Sequence, residues 1–266
     1  MRFFDTHTHF DYLVRQTDEP VAQLVQKALQ SAVEKILIVG VQSQDFVNIE
    51  KLTALYPKNL YYGLGLHPLY IQKHRQSDLD LLEKKLAYNN PSCIAVAEIG
   101  LERHYPELLR EQLWKKQCDF FTTQLQLAKQ FQLPVSIHSR QAHDQLFGFL
   151  KVANLSRCGV IHGFSGSYQQ AKRFIDLGYK IGVGGTITYQ RANKTRNTIA
   201  KLPLDALILE TDSPDMPING FQGQPNRPER IRQIFTALCS IRSEPSTQIL
   251  QVIWQNSCRL FLLDQD

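Results

Sequence analysis

FFDTHTHF, residues 3–10, begins as an apolar strand and closes on two histidines spaced two apart. Four further runs end in the same way. CIAVAEIG (93–100) carries Glu98, PVSIHS (134–139) His138, GVIHGF (159–164) His162 and ALILETD (206–212) Asp212. His7, His9, Glu98, His138, His162 and Asp212 thus stand at the C-terminal ends of strand-like runs. Ligand-type side chains spread over separate strands converge only if those strands form one closed or curved parallel sheet. The same residues therefore decide both fold and chemistry.

Outward from that pattern, short Val/Ile/Leu-rich runs recur at roughly even spacing: Phe3–His9, Lys35–Gly40, Leu60–Gly65, Cys93–Gly100, Pro134–Ser139, Gly159–Phe164, Tyr179–Gly184 and Ala206–Asp212. Runs of this kind read as buried parallel strands. Helical periodicity appears between them over Glu19–Val33, Glu107–Gln132, Asp144–Lys151, Tyr168–Leu177 and Pro228–Ile241. Eight strands alternating with helices predict an α/β fold, a (β/α)8 TIM barrel, with an open doubly wound sheet as the alternative. At 266 residues the chain fits one such barrel, so 1–266 is expected to be a single domain. Ser213–Arg227, rich in proline and glycine, is expected to be a loop over the barrel mouth.

Strand alternation then predicts facing. His7 and His9 point together into the barrel, with Asp5 one step deeper. Ser136 and His138 face in while Val135 and Ile137 face the helices. Ile161 faces out and His162 in. Leu207, Leu209 and Thr211 face out, leaving Glu210 and Asp212 inside.

The bulk composition narrows the class. An apolar fraction of 43% is globular, and no run reaches the roughly 18 apolar residues of a membrane span. The five cysteines are widely spaced with no C-x-x-C, as in a reducing cytosol, and no signal-type segment precedes the first strand. A cytoplasmic protein without an obligate protein partner is expected. The net charge of +5 is compatible with an anionic substrate.

Four histidines and two carboxylates make a mixed N/O donor set suited to zinc, manganese, nickel or iron, and the carboxylates to magnesium. No thiolate is present, which argues against a structural zinc site. A lone strand histidine is usually a hydrogen-bonded core residue. Six such residues on one predicted inner face are hard to explain that way, because buried unpaired carboxylates are expensive. Six ligands suit two divalent ions better than one that must keep positions open.

The chain resembles the TatD family of metal-dependent deoxyribonucleases, within the amidohydrolase-like barrels, and most closely its YjjV-type branch. FFDTHTHFD, GLGLHP (63–68), AEIGLE (97–102), LPVSIHSR (133–140), VIHGFSGS (160–167), GYKIGVGGTITY (178–189), LETDSPDMP (209–217) and QPNRPE (224–229) carry the resemblance, which spans nearly the whole chain. It implies a TIM barrel, two divalent metal cations per chain (Mg, Mn or Zn) and hydrolysis of phosphodiester bonds. In that pattern His7, His9 and Asp212 hold one ion, His138 and His162 the other, and Glu98 bridges both. Asp212, a ligand that can also serve as base, is expected to accept the proton. The family usually carries Asp where this chain has Glu102.

Other residues have more than one reading each. His67, in GLGLHP, contacts a substrate phosphate, hydrogen-bonds a ligand or caps a strand end. Arg140 forks onto a phosphate or joins a surface ion pair. Glu210 needs a buried partner: Asp5, a histidine N–H or Lys180. Gly182, Gly184 and Gly185 admit substrate or permit a turn. Arg191, Lys194, Arg196, Arg227, Arg230 and Arg232 form a solvated face or contact phosphates. The expected function is 3′-to-5′ single-strand deoxyribonuclease activity with nucleic acid, DNA foremost, as the partner. The alternatives are a metal-dependent carboxyl-ester hydrolase such as a D-aminoacyl-tRNA deacylase, or a nucleic-acid-binding protein without catalysis.

Overall fold

A computed structural model describes residues 1–263; the last three positions of the expected 1–266 domain lie outside the described residues. Eight parallel strands follow one another round the sheet in chain order. They are β1 (Phe3–Thr8), β2 (Val33–Val39), β3 (Leu60–Leu64), β4 (Cys93–Glu102), β5 (Val135–Arg140), β6 (Gly159–Ile161), β7 (Lys180–Val183) and β8 (Leu207–Leu209). Helices α1 (Phe10–Thr17), α2 (Val21–Gln30), α3 (Phe46–Ala54), α4 (Gln76–Ala87) and α5 (Glu111–Gln130) accompany the first half. In the second half come α6 (His143–Ala153), α7 (Tyr168–Asp176), α8 (Asn193–Lys201), α9 (Ile231–Ser240) and α10 (Ser246–Phe261). The architecture is a nearly closed TIM barrel.

The alternation separates two cores. Ile36, Ile38, Tyr62, Val135, Ile137, Ile161, Ile181, Leu207 and Leu209 belong to the large cluster between sheet and helices. Phe4, Leu37, Val39, Val160 and Ile208 fill the barrel, with Trp254, Cys258 and Phe261 of α10 packed against them. Burying each large apolar side chain is worth about 1.5–3 kcal/mol, so α10 stabilises the lower end of the barrel. The catalytic end of such a fold is the other one, where the strands finish.

Closure does not come from a β8–β1 ladder. Asp5 accepts the Thr211 N–H (2.8 Å) and hydroxyl (2.5 Å), and Thr6 donates its hydroxyl to the Leu209 carbonyl (2.8 Å). The Asp212 N–H donates to the His7 carbonyl (2.9 Å) and the His9 N–H to that of Ser213 (2.7 Å). Asp5 thus sits at the seam rather than one step beneath the histidines. The cause is a break in β1 register between Asp5 and Thr8, which lets Phe4 and His7 face inward although they are three apart. Burial raises the Asp5 carboxyl to about 7 even though Thr211 bonds to it.

Five of the helices among the described residues lie outside those expected from the sequence: α1, α3, α4, α8 and α10. In α8, NKTRNTIAK, only Thr195, Thr198 and Ile199 are buried, so the apolar stripe is too thin to read. Val33, expected to end a helix, begins β2 instead. Strands 6 and 8 are shorter than expected, so His162, Glu210 and Asp212 lie just beyond them. Asp212 has φ 58°, a left-handed conformation that ends the strand and that Asp tolerates better than most residues.

Candidate metal centre

Glu98 is the hub. It is 1% exposed at the floor of the mouth. Its Oε1 lies 2.7 Å from His162 Nε2, and 3.1 Å from both His67 Nε2 and His138 Nδ1. Its Oε2 lies 3.3 Å from His7 Nε2 and 3.5 Å from His9 Nε2. Asp212 Oδ1 completes the group, 3.6 Å from His7 Nε2 and 3.5 Å from His9 Nε2. The donors come from five strands: His7 in β1 and His9 just past it, Glu98 within β4, His138 within β5, and His162 and Asp212 just past β6 and β8. Three sets have donors within 4.8 Å of one another: His7, Glu98 and His162; His7, His9 and Asp212; and His67, Glu98 and His138.

Protonation follows from the neighbours. Burial first, then the nearby His162, lowers His7 to about 3, so its imidazole is neutral. Its Nδ1 meets Ser136 Oγ at 2.9 Å, which leaves Nε2 turned to the carboxylates. Burial opposes ionisation of Glu98, but the surrounding histidines outweigh it and hold its carboxyl well below the usual range. Asp212 moves the other way: burial and the charge of Glu98 raise it well above the usual range. Burial likewise disfavours charge on His138, yet its bonds to Glu102 and Glu98 raise it to about 9. His7 Nε2 and Glu98 Oε2 are buried and make no hydrogen bond. With Nδ1 assigned as the donor to Ser136 Oγ, Nε2 and Glu98 Oε2 are two buried acceptors turned toward each other, which is costly unless a cation lies between them. The donor set therefore fits divalent metal.

His67 is buried at 6% exposure, against the side of Glu98. Its Nδ1 accepts the Leu69 N–H (3.0 Å), so Nε2 carries the proton and donates to Glu98, a tautomer assigned from that bond. Glu102 reaches His138 Nε2 at 3.1 Å and accepts the His104 N–H. Arg140 lines the cleft, and Arg227 does not. Arg227 is ion-paired with Glu19 and, at 3.7 Å, with Glu229. Arg196 donates to the Ile187 carbonyl and Arg230 to that of Pro225, and neither lines the cleft. Arg191 stacks on Tyr189, 5.2 Å from the ring centroid.

Glu210 is bonded by the Gly163 N–H and lies 3.8 Å from His162 Nδ1. Its carboxyl is raised to about 8, chiefly by burial. Lys180 is not its partner, since that ammonium donates to the Asp205 carbonyl (2.7 Å). Gly182 neither admits substrate nor makes a turn: a Cβ there would stand 2.4 Å from Glu210 Oε2, so the glycine makes room for that carboxyl. Sequence reasoning assigned no role to Asn226. It is fully buried and donates to the carbonyls of Thr211 (2.7 Å) and Met216 (3.2 Å), which pins the mouth loop beside Asp212.

A parallel barrel whose strand ends carry a histidine–carboxylate cluster defines a metal-dependent hydrolase. The TatD-related DNase family model matches residues 4–262, and the chain belongs to that family. A metal-dependent hydrolase of Haemophilus influenzae is 65% identical over 98% of this chain and all of its own length. The crystal structure of YjjV, a TatD homologue from Escherichia coli, superposes with a TM-score of 0.93 at 48% identity over 99% of both chains. The 3′-5′ ssDNA/RNA exonuclease TatD of a Rahnella strain is 28% identical over 93% of this chain and 94% of its own. No helix among the described residues is long and apolar enough to cross a membrane.

Proposed function

We propose that this chain is a phosphodiesterase that removes nucleotides from the 3′ end of single-stranded nucleic acid, DNA foremost. One observation carries the reading. The histidine–carboxylate cluster on Glu98 floors an open cleft whose wall holds Arg140, a cation without an ion-pair partner among the described residues. Family membership supports it, as does the exonuclease name of the Rahnella relative.

His7, His9 and Asp212 would hold one divalent ion, His138 and His162 a second, with Glu98 between them. Such ions supply a lowered pKa for water and positive charge against phosphoryl oxygens. The remaining work falls to the chain. Asp212, with a side chain 15% exposed against 2% for Glu98, is the more open of the two carboxylates in the donor set and the proton acceptor. Arg140 holds a nonbridging phosphate oxygen. His67 keeps Glu98 oriented by donating to Oε1, and Ser136 does the same for the His7 ring.

The test uses an end-labelled strand with a free or blocked 3′ terminus beside the same sequence as a duplex circle, each with manganese-loaded protein. Stepwise shortening of the free-ended strand alone is expected. Equal cutting of the blocked strand and the circle would refute the exonuclease reading. Robust hydrolysis of aminoacyl-tRNA esters with no cutting of nucleic acid would transfer the assignment to a carboxyl-ester hydrolase.

A further inference from the structure

The cleft above Glu98 encloses about 530 Å³, and part of its wall is apolar: Leu69, Tyr105 and Met216 line it alongside Arg140. A cleft of that size suits a small substrate or the end of a flexible one. Leu69 is 39% exposed and Met216 48% exposed, so folding does not bury them. Single exposed apolar residues need no explanation. Here they meet an aromatic ring in one cleft, directly over the metal-type cluster. Tyr105 follows β4 and Leu69 follows β3, neighbours in the sheet, while Met216 follows β8, on the far side of the mouth. The Arg140 guanidinium carbon stands 5.4 Å from the Tyr105 ring centroid, and Nη1 lies 3.5 Å from its hydroxyl. An aromatic ring beside a free guanidinium is the composition that binds single strands: the ring stacks a base while the cation meets the phosphate.

We propose that Tyr105 is the stacking platform for the nucleobase next to the scissile phosphate, with Leu69 as its side wall and Met216 bounding the opposite rim. The proposal rests on the phosphodiesterase reading and deepens it. A platform of this kind reads the π-face common to all bases, so cleavage tolerates sequence. It also needs an unstacked base, which a strand end offers and a duplex interior does not.

The test compares an oligonucleotide carrying normal 3′-terminal nucleotides with one whose terminal positions are abasic. Tyr105→Ala is expected to lower kcat/KM on the normal strand by about 10-fold. On the abasic strand the same variant should lose much less, because the ring has no base left to stack and only its contact with Arg140 is removed. Tyr105→Phe keeps the ring and should stay near wild type on both strands. Equal losses for Tyr105→Ala on the two strands would show that the ring only supports Arg140, and would overturn the platform. No loss on either strand would overturn it as well. A wild-type protein that cuts neither strand would overturn the phosphodiesterase reading and the platform together, whereas cutting without base dependence would sink the platform alone.

Discussion

Gly182→Ala should destabilise the protein through one contact. The new Cβ would stand 2.4 Å from Glu210 Oε2 and 2.8 Å from its Cδ. Glu210 is fully buried, so it has no solvent to move into. Overpacking of this kind costs about 1–3 kcal/mol, and displacing the carboxyl from the Gly163 N–H adds about 1 kcal/mol. Replacing a glycine returns about 0.4–1 kcal/mol through the unfolded chain. The net is about 2 kcal/mol, or about 4–8 °C in Tm for a chain of this size. Gly184→Ala is the control, because a Cβ there meets Glu210 Cγ at 3.6 Å, an ordinary contact. Thermal and urea unfolding of both variants, alone and on a Glu210→Ala background, measures the effect. Gly182→Ala should become nearly neutral once the carboxyl is gone. An equal loss on both backgrounds, or an equal loss for Gly184→Ala, would refute the reasoning.

Glu98→Gln keeps the shape but removes the charge at the hub, so metal affinity and turnover should fall at least 10-fold, the scale on which even supporting residues of metal sites act, while the purified fold persists by circular dichroism. Full activity at limiting metal would show that Glu98 is not the bridge. His67→Ala should leave bound metal detectable by elemental analysis yet lower turnover, because it removes a donor to Glu98 and no proposed ligand; loss of all metal would make His67 part of the ligand set. Burial lowers His143 to about 4, so the unfolded chain takes up a proton below its ordinary value while the folded chain does not. Its contribution is present above about pH 6.5 and is lost as pH falls toward 4, by up to about 3 kcal/mol. The gap in urea midpoint between wild type and His143→Leu should therefore shift against wild type from pH 7.5 to 4.5, and a constant gap would contradict this.

What the sequence revealed and what it hid divide along physical lines. Strand ends were legible because apolar runs stop at the cluster residues, and alternation placed Ser136, His138, Ile161, Leu207 and Leu209 without reference to any partner. Asp5 was misplaced because a register break in β1 depends on the seam with Thr211, more than 200 positions away. The role of Gly182 was hidden for the same reason: the glycine is explained by a carboxyl from the neighbouring strand. Helix α8 buries too few apolar groups to leave a periodic trace. His67 and Asn226 act from loops, where no periodicity indicates facing. Arg227 looked like a phosphate contact until Glu19, distant in sequence, was found to hold it.

In the proposed function, Glu98 and the five side chains around it bind the divalent metal of catalysis. The most direct measurement is anomalous diffraction from crystals soaked in manganese, with data collected at the manganese edge. One or two peaks are expected between Glu98, His7, His9, Asp212, His138 and His162, at ligand distances of about 2.0–2.3 Å. Ordered crystals in which those six side chains carry no peak, or in which manganese binds only elsewhere on the surface, would contradict that assignment.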